Sequence, residues 1–326
     1  MNIHNEQSDS QLVPGLLALV ERYRVARAFD AAGIAQSKAE RLNAYLAASR
    51  LKGCVVAVSG GIDSAVVLGL VSRAARLPGS PIEQVVAVLL PVHDRLATTG
   101  QAQATARGVE VCAAFDIDPV VLDLSASYER LGCAVDQALG VKGEGWARGQ
   151  LVSYQRTPAL YYLTSLLAQQ GRPSVLVGTT NMDEGAYLGY FGKASDGMVD
   201  LQLISDLHKS EVRALAVALN VPASVLRVPP TGDMFDGRVD EEVFGAPYDF
   251  VELYLYALRN PAAFGQALRE AGADARAQFE LLAGRLERMH SYNRHKYLGK
   301  SPAVHLDVCD AHVPGGWDYF VWSPQP

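Results

Sequence analysis

The stretch Ala57-Val58-Ser59-Gly60-Gly61-Ile62-Asp63-Ser64 decides the fold. It closes a short apolar run, residues 54–58, and opens a segment, 63–76, that is patterned as a helix and ends at Leu77-Pro78-Gly79. A β-rich run stopped by glycines reads as a buried parallel strand. Glycines let the backbone approach an anion closely, and the helix start offers unpaired N–H groups at the positive end of its dipole. Ser59 and Ser64 add hydroxyl donors. Ligands of open α/β sheets bind beyond the strand ends, so this turn suits phosphate. It is not a Walker A loop, because no lysine follows the glycines. Asp63 stands beside the anion site instead, and a carboxylate next to phosphate calls for a cation between them. Mg2+ prefers those oxygens. The competing reading is an ordinary strand–helix turn with Asp63 as the helix N-cap.

Outward from this turn, apolar runs at 85–90, 120–124 and 174–177 read as further strands. They alternate with helical segments at 98–115 and 158–169, which implies a parallel sheet with helices on both faces. Residues 12–50 carry helical periodicity, with Leu16, Leu17, Val20 and Tyr23 near one face, and Gly33 is expected to divide them into two helices. The segment 232–247, rich in Gly, Asp and Glu, reads as a long loop and a candidate lid. Phe279, Leu282, Leu286 and Met289 mark an amphipathic helix, and the tail from Gly299 reads as irregular. The expected organisation is an N-terminal helical extension (1–50), a doubly wound α/β domain (51–250), and C-terminal helices with an irregular tail (251–326).

The net charge of −6 argues against nucleic-acid binding, which needs clustered Lys and Arg. Four cysteines without a CxxC pair suit a reducing cytoplasm. The polar N-terminus lacks a signal-peptide pattern, and no apolar run is long enough for a membrane helix. His305, Cys309, Asp310 and His312 lie close together but match no zinc spacing, so they read as a polar tail.

The turn resembles the pyrophosphate loop of the N-type ATP pyrophosphatases, a superfamily of the adenine nucleotide alpha hydrolase-like fold. Within it, five downstream segments resemble the NAD synthetase family of the ammonia-dependent type. They are Val177-Gly178-Thr179-Thr180-Asn181-Met182-Asp183-Glu184, Leu188 to Gly197, the pair Asp200 and Lys209, Pro230-Thr231-Gly232-Asp233, and His295-Lys296. The resemblance implies that Ser59, Gly60, Gly61, Asp63 and Ser64 hold the phosphates of ATP, with Thr179, Lys209 and Thr231 also on the nucleotide. It implies Mg2+ on Asp63 and Glu184. Arg156, Lys193, Asp200, His295 and Lys296 would hold the acceptor, nicotinate adenine dinucleotide, at the subunit interface of a homodimer. Asp63, Asp196 and Lys209 would act in catalysis, Asp196 by gathering ammonium and taking its proton. The sequence departs from the family where an R-x-R pair is usual: Arg156 is present, but Pro158 takes the second place.

The implied reaction adenylates a carboxylate, releases pyrophosphate and lets ammonia displace AMP. The runner-up is a related amide-forming or adenylating ligase with another carboxylate acceptor. No glutaminase domain is visible, since roughly 50 residues precede the turn, too few for one. Free ammonia, or ammonia from a separate glutaminase, is the expected nitrogen source.

Overall fold

The computed structural model describes residues 11–93, 100–232, 237–297 and 299–324. Asp233 of the Pro230–Asp233 motif and the expected helix start at Thr98 lie outside them. The chain runs α1 (Pro14–Arg27), α2 (Ala31–Ala48), β1 (Gly53–Ala57), α3 (Ile62–Ala75), β2 (Gln84–Leu89), α4 (Gly100–Ala114) and β3 (Val120–Val121). It continues with α5 (Ser125–Leu139), α6 (Gly145–Gln169), β4 (Ser174–Gly178), α7 (Met182–Gly185), β5 (Leu201–Gln202), α8 (Lys209–Ala218) and α9 (Ala223–Leu226). The last part holds α10 (Asp240–Phe244), α11 (Tyr248–Arg259), α12 (Pro261–Glu270), α13 (Ala273–Tyr297), β6 (Val304–His305) and β7 (Phe320–Val321).

The strands form one sheet in the order β3-β2-β1-β4-β5-β6-β7, and every pair is parallel. Alternate side chains supply two cores, as a strand's period of two requires. Cys54 and Val56 of β1, Leu89 of β2 and Val177 of β4 face α2, α3 and α8. Val55, Val88 and Leu176 face the layer of α5 and α6, where Tyr128, Leu160 and Leu167 are buried. The strand order reverses between β1 and β4, so the crevice opens where those two strands end. A third core joins α1, α11, α12 and α13 through Leu16, Val20, Phe250, Leu253, Leu282 and Leu286. No helix among the described residues is long and apolar enough to cross a membrane.

Several local expectations change. The first two helices part at Ala28, whose φ of 47° ends α1, not at Gly33. Asp30 caps α2 by accepting the N–H of Ala32 at 3.1 Å. Gly33 sits inside α2, facing the capping side chain of Asp30. Leu17 is 39% exposed and belongs to the outer face of α1. Helix α6 starts at Gly145 and runs through Pro158, which the sequence places at a helix start because proline is favoured there. The segment 232–247 contains α10, whose Asp240 is buried. The tail is not wholly irregular, since β6 and β7 extend the sheet edge.

One buried ion pair fastens the extensions to the sheet. Lys38 Nζ of α2 meets Asp206 Oδ1 at 2.6 Å, with both side chains fully buried. The other oxygen of Asp206 accepts the N–H groups of Val308 and Cys309 at 2.7 and 2.9 Å. Removing one partner of such a pair leaves a buried charge alone. Lys38→Ala is therefore expected to lower unfolding free energy by about 3–5 kcal/mol. Urea denaturation checks this, and an unchanged midpoint would remove the pair from the account of the fold.

Candidate active site

Beyond β1 the chain turns at Gly60, whose φ is +82°. A Cβ there would also lie 2.2 Å from the carbonyl oxygen of Ala104 in α4. Glycine is required at this position on both counts. The turn is tied by its own hydroxyls. The N–H of Ser59 donates to Ser64 Oγ, the N–H of Gly61 donates to Ser59 Oγ, and the Ser64 hydroxyl donates to the Gly61 carbonyl, at 3.2, 3.2 and 3.1 Å. Gly61 is the N-cap of α3 and offers no side chain, so the cap role weighed for Asp63 falls to Gly61. Asp63 lies in the first helical turn, on the wall of the cavity.

The loop after β4 brings its own carboxylate to the same point. Asn181 caps α7 by accepting the N–H of Glu184 at 3.1 Å, and its Nδ2 donates to Asp63 Oδ1 at 2.9 Å. Lys209, the first residue of α8, places Nζ 2.6 Å from Asp63 Oδ2 and 2.9 Å from Glu184 Oε1. The Tyr248 hydroxyl lies 2.8 Å from both Glu184 Oε1 and Asp240 Oδ2, and Tyr190 donates to Asp240 Oδ1 at 3.0 Å. The ammonium also lies 5.0 Å from the centre of the Tyr248 ring, within reach of a cation–π contact.

Three carboxylates thus share one ammonium. Burial pushes the Glu184 carboxyl up to about 7, with Lys209 opposing the rise and the charges of Asp63 and Asp240 adding to it. Asp240 is raised for the same leading reason. Burial disfavours the charged lysine, yet Asp63 and Glu184 hold its pKa above the ordinary value. A surplus of buried negative charge suits a second cation. Among the described residues no three His, Cys, Asp or Glu side chains converge as a metal cage. The pair Asp63 and Glu184 fits Mg2+ in its commonest form, held by one or two carboxylates with the remaining positions left to phosphates and water.

A cavity of about 1350 Å³ surrounds this cluster. Ser59, Gly61, Asp63, Ser64, Thr179, Glu184, Lys209 and Thr231 line one part, and Arg156, Asp196, His295 and Lys296 also reach its wall. Asp196 Oδ2 accepts the N–H of Gly192 and the hydroxyl of Ser195, both at 3.2 Å. Lys296 donates to the Gly189 carbonyl at 3.0 Å, and burial lowers its pKa, partly offset by Asp196. Three of the residues singled out from sequence lie off the wall. Gly60 is packed on α4, and Lys193 donates to the His295 carbonyl at 3.1 Å. Asp200 accepts the N–H of Leu176 at 2.8 Å, within the sheet.

Sequence reasoning missed a buried relay behind Lys209. Asp183 Oδ2 accepts the Lys209 N–H at 2.7 Å, Asp183 Oδ1 lies 2.6 Å from His208 Nδ1, and His208 Nε2 lies 2.9 Å from the Tyr23 hydroxyl. Burial works against the imidazolium, but Asp183 holds the His208 pKa above its usual value. Asp183 and His208 flank Glu184 and Lys209 in sequence, a signal that was legible; Tyr23 gave none. Asp240 and Tyr248 were missed because their contacts to Tyr190 and Glu184 cross long stretches of chain.

The sequence pattern of the NAD synthase family matches residues 34–297. An NH3-dependent NAD(+) synthetase from Syntrophomonas wolfei is 34% identical over 206 residues, 62% of this chain and 75% of the relative. Among solved structures, an NMN synthetase from Francisella tularensis superposes with a TM-score of 0.64 at 24% identity, covering 82% of this chain and 96% of that one. An NH3-dependent NAD synthetase from Campylobacter jejuni, in complex with the nitrate ion, gives 0.59 at 20% identity over 82% and 96%. These two share the fold.

The raised carboxyl of Glu184 sets a pH dependence. Its proton is held in the folded chain up to about pH 7 but leaves near 4.5 at the ordinary value, so stability is lost as pH rises through that window. Glu184→Gln removes the charge. The variant is expected to outlast the wild type at pH 8 by on the order of 2 kcal/mol, with the gap closing near pH 5. Thermal unfolding of the ligand-free protein across that range is the check, and a variant that trails the wild type equally at both ends contradicts it.

Proposed function

The chain belongs to the NAD synthase family, and from that premise we propose that it amidates nicotinate adenine dinucleotide to NAD with ATP and ammonia. A carboxylate cannot acylate ammonia directly, because oxide is a poor leaving group. In the proposed reaction the acceptor carboxylate oxygen attacks the α-phosphorus of ATP. The α–β bridging bond breaks and pyrophosphate departs. Ammonia then attacks the acyl carbon, AMP leaves with the bonding electrons, and the surplus proton passes to Asp196.

One observation carries this reading: carboxylates from the loops after β1 and β4 meet on Lys209 at the point where strand order reverses. The free N–H groups at the start of α3, the Ser59–Ser64 turn and Lys209 favour the charge that builds on the departing pyrophosphate. Thr179 and Thr231 reach the same wall and are assigned to ATP. Mg2+ on Asp63 and Glu184 would neutralise phosphate charge. The cavity of about 1350 Å³ exceeds the range of about 300–1,000 Å³ usual for a single small ligand, which suits two substrates held together.

Arg156, His295 and Lys296 are assigned to the acceptor. Lys193 braces the chain at His295, and Asp200 braces β4 behind them. A homodimer is supported by exposed apolar side chains at helical spacing: Leu131, Val135 and Leu139 on α5, and Tyr162 and Leu166 on α6. Ammonia is the nitrogen donor, free or delivered by a separate glutaminase. A cytoplasmic location is proposed on the scattered spacing of the four cysteines, none in a CxxC pair. The runner-up, another carboxylate acceptor, is favoured by Pro158 inside α6, where the family's R-x-R pair would place a second arginine.

Pyrophosphate release from ATP, with Mg2+, ammonium and a panel of acceptors, tests the reading. Release should depend on nicotinate adenine dinucleotide, and Asp63→Ala should lower kcat/KM by about 100-fold or more. Release with nicotinate mononucleotide or another acid alone selects the runner-up. Normal turnover by Asp63→Ala refutes the proposed site.

A further inference from the structure

We propose that Arg107 of α4 is a phosphate ligand of this site, gripping the pyrophosphate end of ATP beside the Ser59–Ser64 turn. The proposal rests on the reading of that turn as a phosphate loop. Arg107 Nε donates to the Gly60 carbonyl at 3.1 Å, so the guanidinium is anchored on the turn itself. Ala104, one helical turn earlier, presses its carbonyl against Gly60 closely enough to exclude a Cβ. Helix α4 and the turn therefore form one packed unit, and the arginine fork keeps a fixed place relative to the start of α3.

Arg107 lines the same cavity as Ser59, Gly61 and Asp63. It makes no other hydrogen bond or ion pair among the described residues, so its two terminal nitrogens are available to a ligand. The electrostatics of the site require such a group. Lys209 is already engaged by Asp63 and Glu184, and Asp240 adds a third negative charge nearby. A polyanionic nucleotide tail approaching that cluster needs a cation not yet neutralised by protein. Arginine suits the task because its planar fork binds phosphate oxygens in pairs and stays charged at any working pH. A purely structural Arg107, bracing only the Gly60 carbonyl, would support the turn without touching the ligand.

Titration calorimetry with inorganic pyrophosphate and Mg2+ separates the two roles. The full chain is compared with Arg107→Ala and Arg107→Lys. The wild type is expected to bind, Arg107→Ala to weaken the affinity by about 10- to 100-fold, and Arg107→Lys to recover part of it. In steady state KM for ATP should rise while KM for the acceptor stays put. Equal pyrophosphate affinity in wild type and Arg107→Ala overturns the proposal while leaving the phosphate-loop reading intact. No binding by the wild type sinks that reading, and this one with it. Should Arg107→Ala fail to fold, Arg107→Lys decides: it keeps the charge but loses the fork, so undiminished affinity overturns the ligand role.

Discussion

The contact on which the site depends is the buried ammonium of Lys209 between Asp63 and Glu184. Each partner comes from a different part of the sheet. Asp63 follows β1, Glu184 follows β4, and Lys209 starts α8 beyond β5. Parallel strands with crossover connections place all three at one end of the sheet, at the one position where neighbouring loops diverge and leave a crevice. Without the lysine, the two carboxylates would repel across that crevice. With it, they converge while remaining short of positive charge, because Asp240 stands behind Tyr248.

Lys209 is itself held from behind. The carboxylate of Asp183 fixes its backbone N–H and pairs with the His208 imidazole, which meets Tyr23 of α1. Glu211 of the same helix pairs with Arg27 of α1, and Asp206 just ahead of it pairs with Lys38 of α2. The N-terminal helices are thus wired by buried polar groups to the segment that carries Lys209. Such groups are costly to bury and tolerate no displacement, since each lost partner leaves a charge or a donor unsatisfied. They specify the position of α8 more narrowly than apolar packing would.

How far the sequence was legible follows from the range of each interaction. The Ser59–Ser64 turn was readable as a strand–helix junction because its determinants lie within the twelve residues 53–64: an apolar strand, a glycine in a left-handed conformation and serines that bond one another. The central strands were readable because both faces are buried, which yields unbroken apolar runs. Strands β5, β6 and β7 were not; β3 is equally short but was betrayed by the apolar run 120–124 around it. Pro158 misled because proline marks helix starts by default, while the polar segment before it joins the helix through tertiary contacts such as Arg148 with Asp136. Asp240 and Tyr248 were hidden for the same reason: Tyr248 reaches Glu184 and Asp240 reaches Tyr190 across long stretches of chain, and no local pattern reports such contacts.

Together these features describe a site arranged for its loaded state. A ligand-free pocket with three carboxylates and one ammonium holds Glu184 in its protonated form up to about pH 7, which is charge frustration stored in the resting protein. A nucleotide tail alone would deepen that frustration, and a divalent cation alone would find only two carboxylates to hold it. On the proposed reading the two would arrive together, Asp63 and Glu184 holding the cation while the start of α3, the turn and Arg107 receive the phosphates. On that reading, the imbalance that weakens the empty fold would favour an anion accompanied by its metal over either component by itself.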